Sequence, residues 1–570
     1  MSDTQKSSER LLAEFAPASY EEWRRLVEQE LAGASFEQRL VGRTYEGIDL
    51  QPIYTERDTA ALPHLDAPPG APPYLRGADA ARHTRRPWEI CQPIGAAEPH
   101  AFNHIARHDL AAGASAIEIL LDAASRAGLD PDHAPAAEVG QGGFVLITLD
   151  DLLVALDDVD LAHVALRVDT GPALLPAAAL LIGLARTRGH VGALHGAIAC
   201  DPLAELAQHG RLERGLAAAY DAVAALTTWA ATNAPHLATV AVDAGVYHEA
   251  GADDAEELAC AIAGAVDQMR ALTQRGVPVA TVAAHLEFRF ALGAQIFMEI
   301  ARLRAARLLW ARVAASFGGD AAAQRTRIHT RTGRRNKSRL DPYVNMLRAT
   351  VEAFAAIVGG CDSLTVGAFD EVIRPSDELA RRVARNTQIM LERESHLGHV
   401  IDPGGGSWYI EALTDALARR AWARFQEIER AGGMAKALQH GGVQQRIATT
   451  AGERASALAA QRDLLVGTNI YTNPHEAPLP APERDTRTAE QRAEAAQRAR
   501  GAERPGLAGL LALAAERTGA ERLDAAAGAA VAGATLGELA AALQPRHATP
   551  TRAPALAIRR DAEPFEAIER

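Results

Sequence analysis

The sequence predicts an α/β fold around a parallel sheet, and two observations carry the expectation. Between about residues 45 and 430, short apolar runs alternate with longer stretches of helical periodicity. Eight of those runs read as strands, and eight is the number a closed (β/α)8 barrel requires. An open doubly wound sheet produces the same alternation, so periodicity alone leaves both architectures open.

Residues 1–44 read as a helical arm, with Trp23 and the leucines as anchors in an otherwise charged stretch. The strand candidates follow as WEICQPI (88–94), AIEILLD (116–122), HVALRV (163–168), VGALHGAI (191–198), ATVAVDAG (238–245), VATVAAHLEF (279–288), RIHTRT (327–332) and DSLTVGAF (362–369). Residues 288–313 read as one long packing helix, with Ile296, Ile300, Leu303 and Trp310 on one face and Arg302, Arg304, Arg307 and Arg312 on others. DPGGGSWYIE (402–411) reads as a tight turn before a strand-like piece. Residues 431–505 are expected to be a helical extension and linker, turning rich in Pro, Ala and charge after 475. Residues 506–570 are expected to hold two alanine-rich helices, LAGLLALAAERTG and GATLGELAAAL, and a Pro-bearing connector tail too polar to fold alone.

The 570 residues are too many for one small core. A formal net charge of −13 argues against nucleic acid or an anionic membrane as partner. Cys91, Cys200, Cys260 and Cys361 show neither a disulfide framework nor metal-knuckle spacing, which points to a reducing, cytoplasmic setting. The polar N-terminus lacks the apolar core of a secretory signal. The longest apolar run, 171–185, is too short to cross a bilayer of about 30 Å.

Common chemical signatures are missing: there is no Gly-x-Gly-x-x-Gly, no His-Glu-x-x-His and no Gly-x-Ser-x-Gly. RTRIHTRTGRRNKSR (325–339) carries seven cations in fifteen residues. Such density could grip the phosphates of a nucleotide-like ligand such as coenzyme A, but composition alone favours a solvated loop. Tyr247 and His248 stand side by side after a strand candidate, as an acid/base pair would, or as loop filler.

YEGIDLQPIYTERD (45–58), RPWEI (86–90), FALGAQIFMEIARLRAARLLWARV (290–313), ARNTQ (384–388) and VIDPGGGSWYIEALT (400–414) together resemble the methylmalonyl-CoA mutase family, specifically its small-subunit branch. The resemblance implies a (β/α)8 TIM barrel over 45–430 whose axis admits the pantetheine arm of coenzyme A. It also implies interconversion of methylmalonyl-CoA and succinyl-CoA by radicals drawn from adenosylcobalamin.

Active chains of the family hold the corrin through an Asp-x-His-x-x-Gly motif, which these 570 residues do not contain. The resemblance places a wedge tyrosine at His83, a substrate-holding arginine at His209, and two pocket glutamines at Ala199 and Arg331. Aligned without a gap on the EAGA of 249–252, the family's Tyr-His falls on Gly245 and Val246, two residues before the visible Tyr247 and His248. In extended chain that slip is roughly 6–7 Å, beyond the tolerance of positioned acid/base groups.

The expectation is therefore a non-catalytic small subunit with no catalytic, cofactor or metal residues of its own. Its altered pocket positions would be His83, Ala199, His209, Val246 and Arg331. The partner would be a large (alpha) subunit that holds adenosylcobalamin, in a heterodimer contacted through the arm and barrel surfaces. The rivals are an active chain that uses Tyr247 and His248 with a separately encoded cobalamin subunit, and a regulatory protein that binds acyl-CoA without turnover.

Overall fold

Strands buried on both faces need apolar side chains outside and a filled space inside, and alternation along eight segments meets both demands. They are β1 (Glu89–Ile94), β2 (Ala116–Ile119), β3 (Ala165–Asp169), β4 (Gly196–Cys200), β5 (Leu237–Asp243), β6 (Leu286–Leu292), β7 (Arg327–Thr332) and β8 (Ser363–Thr365). All are parallel and pair in chain order, with β8 returning to β1 to close a barrel. The computed structural model describes residues 19–81, 87–473, 475, 477, 479–480, 487–544 and 548–568. Ile90, Ile117, Leu166, Ile198, Phe288, Ile328 and Leu364 face outward into one core beneath the helices. Cys91, Ala116 and Ala165 form a separate small cluster on the interior wall.

The closed sheet resolves the ambiguity between barrel and open sheet, but several segments differ from expectation. The run VATV at 279–282, β-branched and apolar, lies in a short helix (Val279–Ala284), and β6 begins at Leu286. The helix read from 288 begins instead at Ile296 and runs to Ser316, because 288–292 complete β6. The strand-like SWYIE starts the helix Trp408–Arg430, with the Ser407 hydroxyl accepting from the Ile410 N–H. A third alanine-rich helix, Gly519–Val531, lies between Leu507–Glu516 and Leu536–Ala542. It packs against the barrel helices Leu174–Arg188 and Gly215–Asn233.

The tail after 548 lies against the barrel domain. Thr551–Arg552 pairs antiparallel with Arg211–Leu212, and the Asp561 N–H donates to the Arg335 carbonyl at 2.8 Å. In the arm, the helix Tyr20–Glu30 has no buried residue. Trp23 meets Phe36 edge-on at 6.0 Å, whereas Leu26 is exposed rather than an anchor. Among the described residues no helix is long and apolar enough to cross a membrane.

Trp310 is fully buried, edge-on to Phe288 at 5.5 Å, and its indole N–H donates to the Ala323 carbonyl at 3.2 Å. Trp310→Ala should therefore cost about 3–5 kcal/mol, seen as a lower urea midpoint. Leu347→Ala, on an exposed side chain, should stay within about 0.5 kcal/mol of the parent.

Candidate functional site

Inward positions of the barrel carry charge rather than bulk hydrocarbon. The Arg167 guanidinium on β3 donates to the Glu287 carboxylate on β6. Two strands, β4 and β5, separate these partners in the sheet, so the pair spans the interior from one wall to another. Both side chains are almost completely buried, at 4% and 0% exposure. Arg289 Nε donates to the same Glu287 oxygen at 3.3 Å. Thr365 Oγ1 on β8 reaches past β1 to Glu118 Oε2 on β2, also at 3.3 Å. Burial works against ionisation of Glu287, yet Arg167 and Arg289 outweigh it and hold its pKa below the ordinary glutamate value. Beneath the pair, the N-terminal ends of the strands frame a cavity of about 680 Å³ whose lining includes Glu89, Arg167, Glu287, Arg325, Arg327 and Ser363.

At the C-terminal mouth, where barrel enzymes keep their chemistry, the charges are paired with one another. Arg126 meets Asp169 at 2.9 Å and also pairs with Glu205. Glu371 takes Arg331 at 3.0 Å and Arg334 at 3.2 Å. Asp243 accepts from the Gly245 N–H at 2.9 Å. Burial raises its pKa to about 6 against the opposing pull of Arg289.

Tyr247 and His248 lie in a helical turn, Gly245–Glu249, and both are buried. Tyr247 belongs to the apolar core, and burial pushes its phenol well above the ordinary value. His248 Nδ1 lies 3.2 Å from Glu257 Oε2. Its ring is admitted by the glycine after β7, since a Cβ on Gly333 would stand 3.0 Å from Nε2. Burial, then Arg335 and Arg302, push this imidazole well below its usual pKa. Of the other expected positions, Ala199 is a buried methyl on β4, Val246 is half-buried against the core, and His83 lies outside the described residues. His209 ends the helix Pro202–His209, half exposed, 3.6 Å from Glu205. His209, His248 and Arg331 thus each take a carboxylate of their own, Glu205, Glu257 and Glu371, and no hydrogen bond or ion pair joins them.

The cation-rich segment 325–339 is not a solvated loop. It contains β7, and Lys337 is buried with its ammonium 2.7 Å from Glu352. The segments that carried the family resemblance also find partners. Trp88 donates its indole N–H to Gln388 at 3.2 Å, and Arg385 meets Asp109 at 2.5 Å. Arg304 pairs with Asp402 and, at 2.7 Å, with Glu411. Arg302 is shared by Glu257, Glu299 and, at 2.9 Å, Asp254. Sequence reasoning missed Arg167, Glu287 and Arg289; the available signal was two charges at alternate positions in LEFRFAL, the spacing of one face of a strand.

A closed parallel barrel with a polar, self-paired axis defines the architectural class, and the comparisons supply the family. The family model described as methylmalonyl-CoA mutase matches residues 43–548. The chain is 39% identical over 483 residues to the methylmalonyl-CoA mutase small subunit of Streptomyces virginiae, covering 83% of this chain and 74% of that one. It is 34% identical to the methylmalonyl-CoA mutase of Cereibacter sphaeroides, over 92% of this chain and 74% of the relative. To the large subunit of Streptomyces virginiae it is 34% identical, over 80% and 62%. The chain belongs to the methylmalonyl-CoA mutase family, a family of adenosylcobalamin-dependent isomerases.

Glu287→Ala leaves Arg167 buried without its carboxylate and should cost about 3–5 kcal/mol, whereas Arg167→Met with Glu287→Leu should recover most of that loss; urea unfolding of the two variants checks the difference. The cluster around Arg302 makes a second expectation. Burial raises Glu299 to about 8, and burial with Asp254 raises Glu46 to about 7. Because folded values lie above unfolded ones, this contribution is complete below about pH 4.5 and is lost as pH rises through 7–8. Thermal melts should show stability falling from pH 5 to 8, and Glu299→Gln should flatten the slope.

Proposed function

We propose that this chain is the small, non-catalytic subunit of a methylmalonyl-CoA mutase, which interconverts methylmalonyl-CoA and succinyl-CoA only with a large chain as partner. The observation that carries this reading is the Arg167–Glu287 pair, which occupies the axis that the family resemblance gives to the pantetheine arm. The likeness to a chain named small subunit supports the same assignment.

The mouth does not suit a corrin. Its rim cations are matched by carboxylates, and its histidines, His209 and His248, face Glu205 and Glu257. Adenosylcobalamin and the radical chemistry are accordingly assigned to the large chain, and no step is routed through this barrel. Residues 1–44 are assigned to the heterodimer contact, with the exposed Leu26 available to a partner. Four buried cysteines, none of them in a disulfide, accord with a cytoplasmic setting.

An active barrel borrowing a separate cobalamin subunit would need Tyr247 and His248 at the axis, and both are buried among other partners. The decisive assay is turnover with adenosylcobalamin. This chain alone should give none, and the chain mixed with a candidate large chain should give a stable complex and isomerisation. Turnover by the isolated chain overturns the assignment.

A further inference from the structure

We infer that Arg167 and Glu287 are the residues that deny this barrel an acyl-CoA, acting together as a plug across its interior. The inference rests on the reading of the chain as a closed, non-catalytic barrel and names what closes it. Among the described residues, this is the only ion pair joining barrel strands that are not neighbours. The cavity of about 680 Å³ at the N-terminal end is lined by the same two side chains, so they form its inner boundary. Around them the wall mixes small groups, Cys91, Ala116 and Ala165 on β1 to β3 and Ala197 and Ala199 on β4, with the longer Glu118 on β2, Arg289 on β6 and His329 on β7. Arg289 leans on the same Glu287 oxygen, so its position depends on the pair.

The chemistry explains why the plug consists of two residues. A lone arginine or glutamate in this space would be an uncompensated buried charge. Once paired, the two exclude both water and an extended thioester arm. Removing both together takes away their bulk without leaving either of the two charges alone, and Arg289, which shares Glu287, keeps Asp169 and Asp243 as neighbouring carboxylates.

The test is calorimetric titration of coenzyme A into the wild-type chain and into a variant with Arg167→Ser and Glu287→Ser, with circular dichroism to establish folding. The variant should bind at least tenfold more tightly than wild type, about 1.4 kcal/mol. A control with Arg167→Met and Glu287→Leu, which keeps an apolar plug, should bind no better than wild type. A folded serine variant that gains nothing overturns the plug while leaving the non-catalytic reading intact. Tight binding by wild type overturns the closed axis itself.

Should the serine variant fail to fold, wild type still decides through Cys91, fully buried on the interior wall. Native alkylation with iodoacetamide, read by mass spectrometry, should modify Cys91 no faster than the outward-facing Cys200. Faster modification of Cys91 overturns the plug.

Discussion

The interaction on which the rest depends is the ion pair between Arg167 and Glu287. Eight parallel strands enclose a space that must be filled by side chains or held open for a ligand. Here β3 and β6 fill it with opposite charges. Burying either charge alone is expensive, so each makes the other necessary, and Arg289 adds a second donor to the same carboxylate. The charges at the C-terminal rim then pair among themselves, Arg126 with Asp169 and Glu205, Arg331 and Arg334 with Glu371. Among the described residues, these rim cations are taken up by carboxylates of the same chain.

The family likeness is concentrated where the scaffold is held together. Trp88 and Gln388 come from two of the recognisable segments and bond to each other. Arg304 from a third segment pairs with Asp402 and Glu411 from a fourth. Arg302, from the same helix, gathers Glu257, Glu299 and Asp254. These contacts tie the outer helices to one another and, through Trp88, to the start of β1, and they lie away from the axis. A chain can therefore keep the architecture of its family while the positions facing a substrate change.

Much of the fold was legible because strands such as AIEI and ALRVD lie within apolar runs bounded by turns, and helices recur between them. Two errors have a physical source. Residues 279–282 have the β-branched composition of a strand but form a helical turn, local preference yielding to tertiary context. The true strand, Leu286–Leu292, carries Glu287 and Arg289 on its inner face; in sequence its first residues read as the end of a strand and the rest as the start of the helix that follows. The site was less legible. The partners Arg167 and Glu287 are 120 positions apart in sequence, and only closure of the barrel brings them together. Tyr247 and His248 could be weighed from sequence only as an acid/base pair or as loop filler, because adjacency in sequence says nothing about burial; the structure gives one to the core and the other to Glu257.

The central claim concerns what occupies the barrel axis, and a crystallographic electron-density map of the chain grown with excess coenzyme A tests it most directly. The account predicts continuous contact between the Arg167 guanidinium and the Glu287 carboxylate, with no ligand threaded between β3 and β6. Extended density for a pantetheine arm along the axis, with Arg167 swung aside, would contradict it.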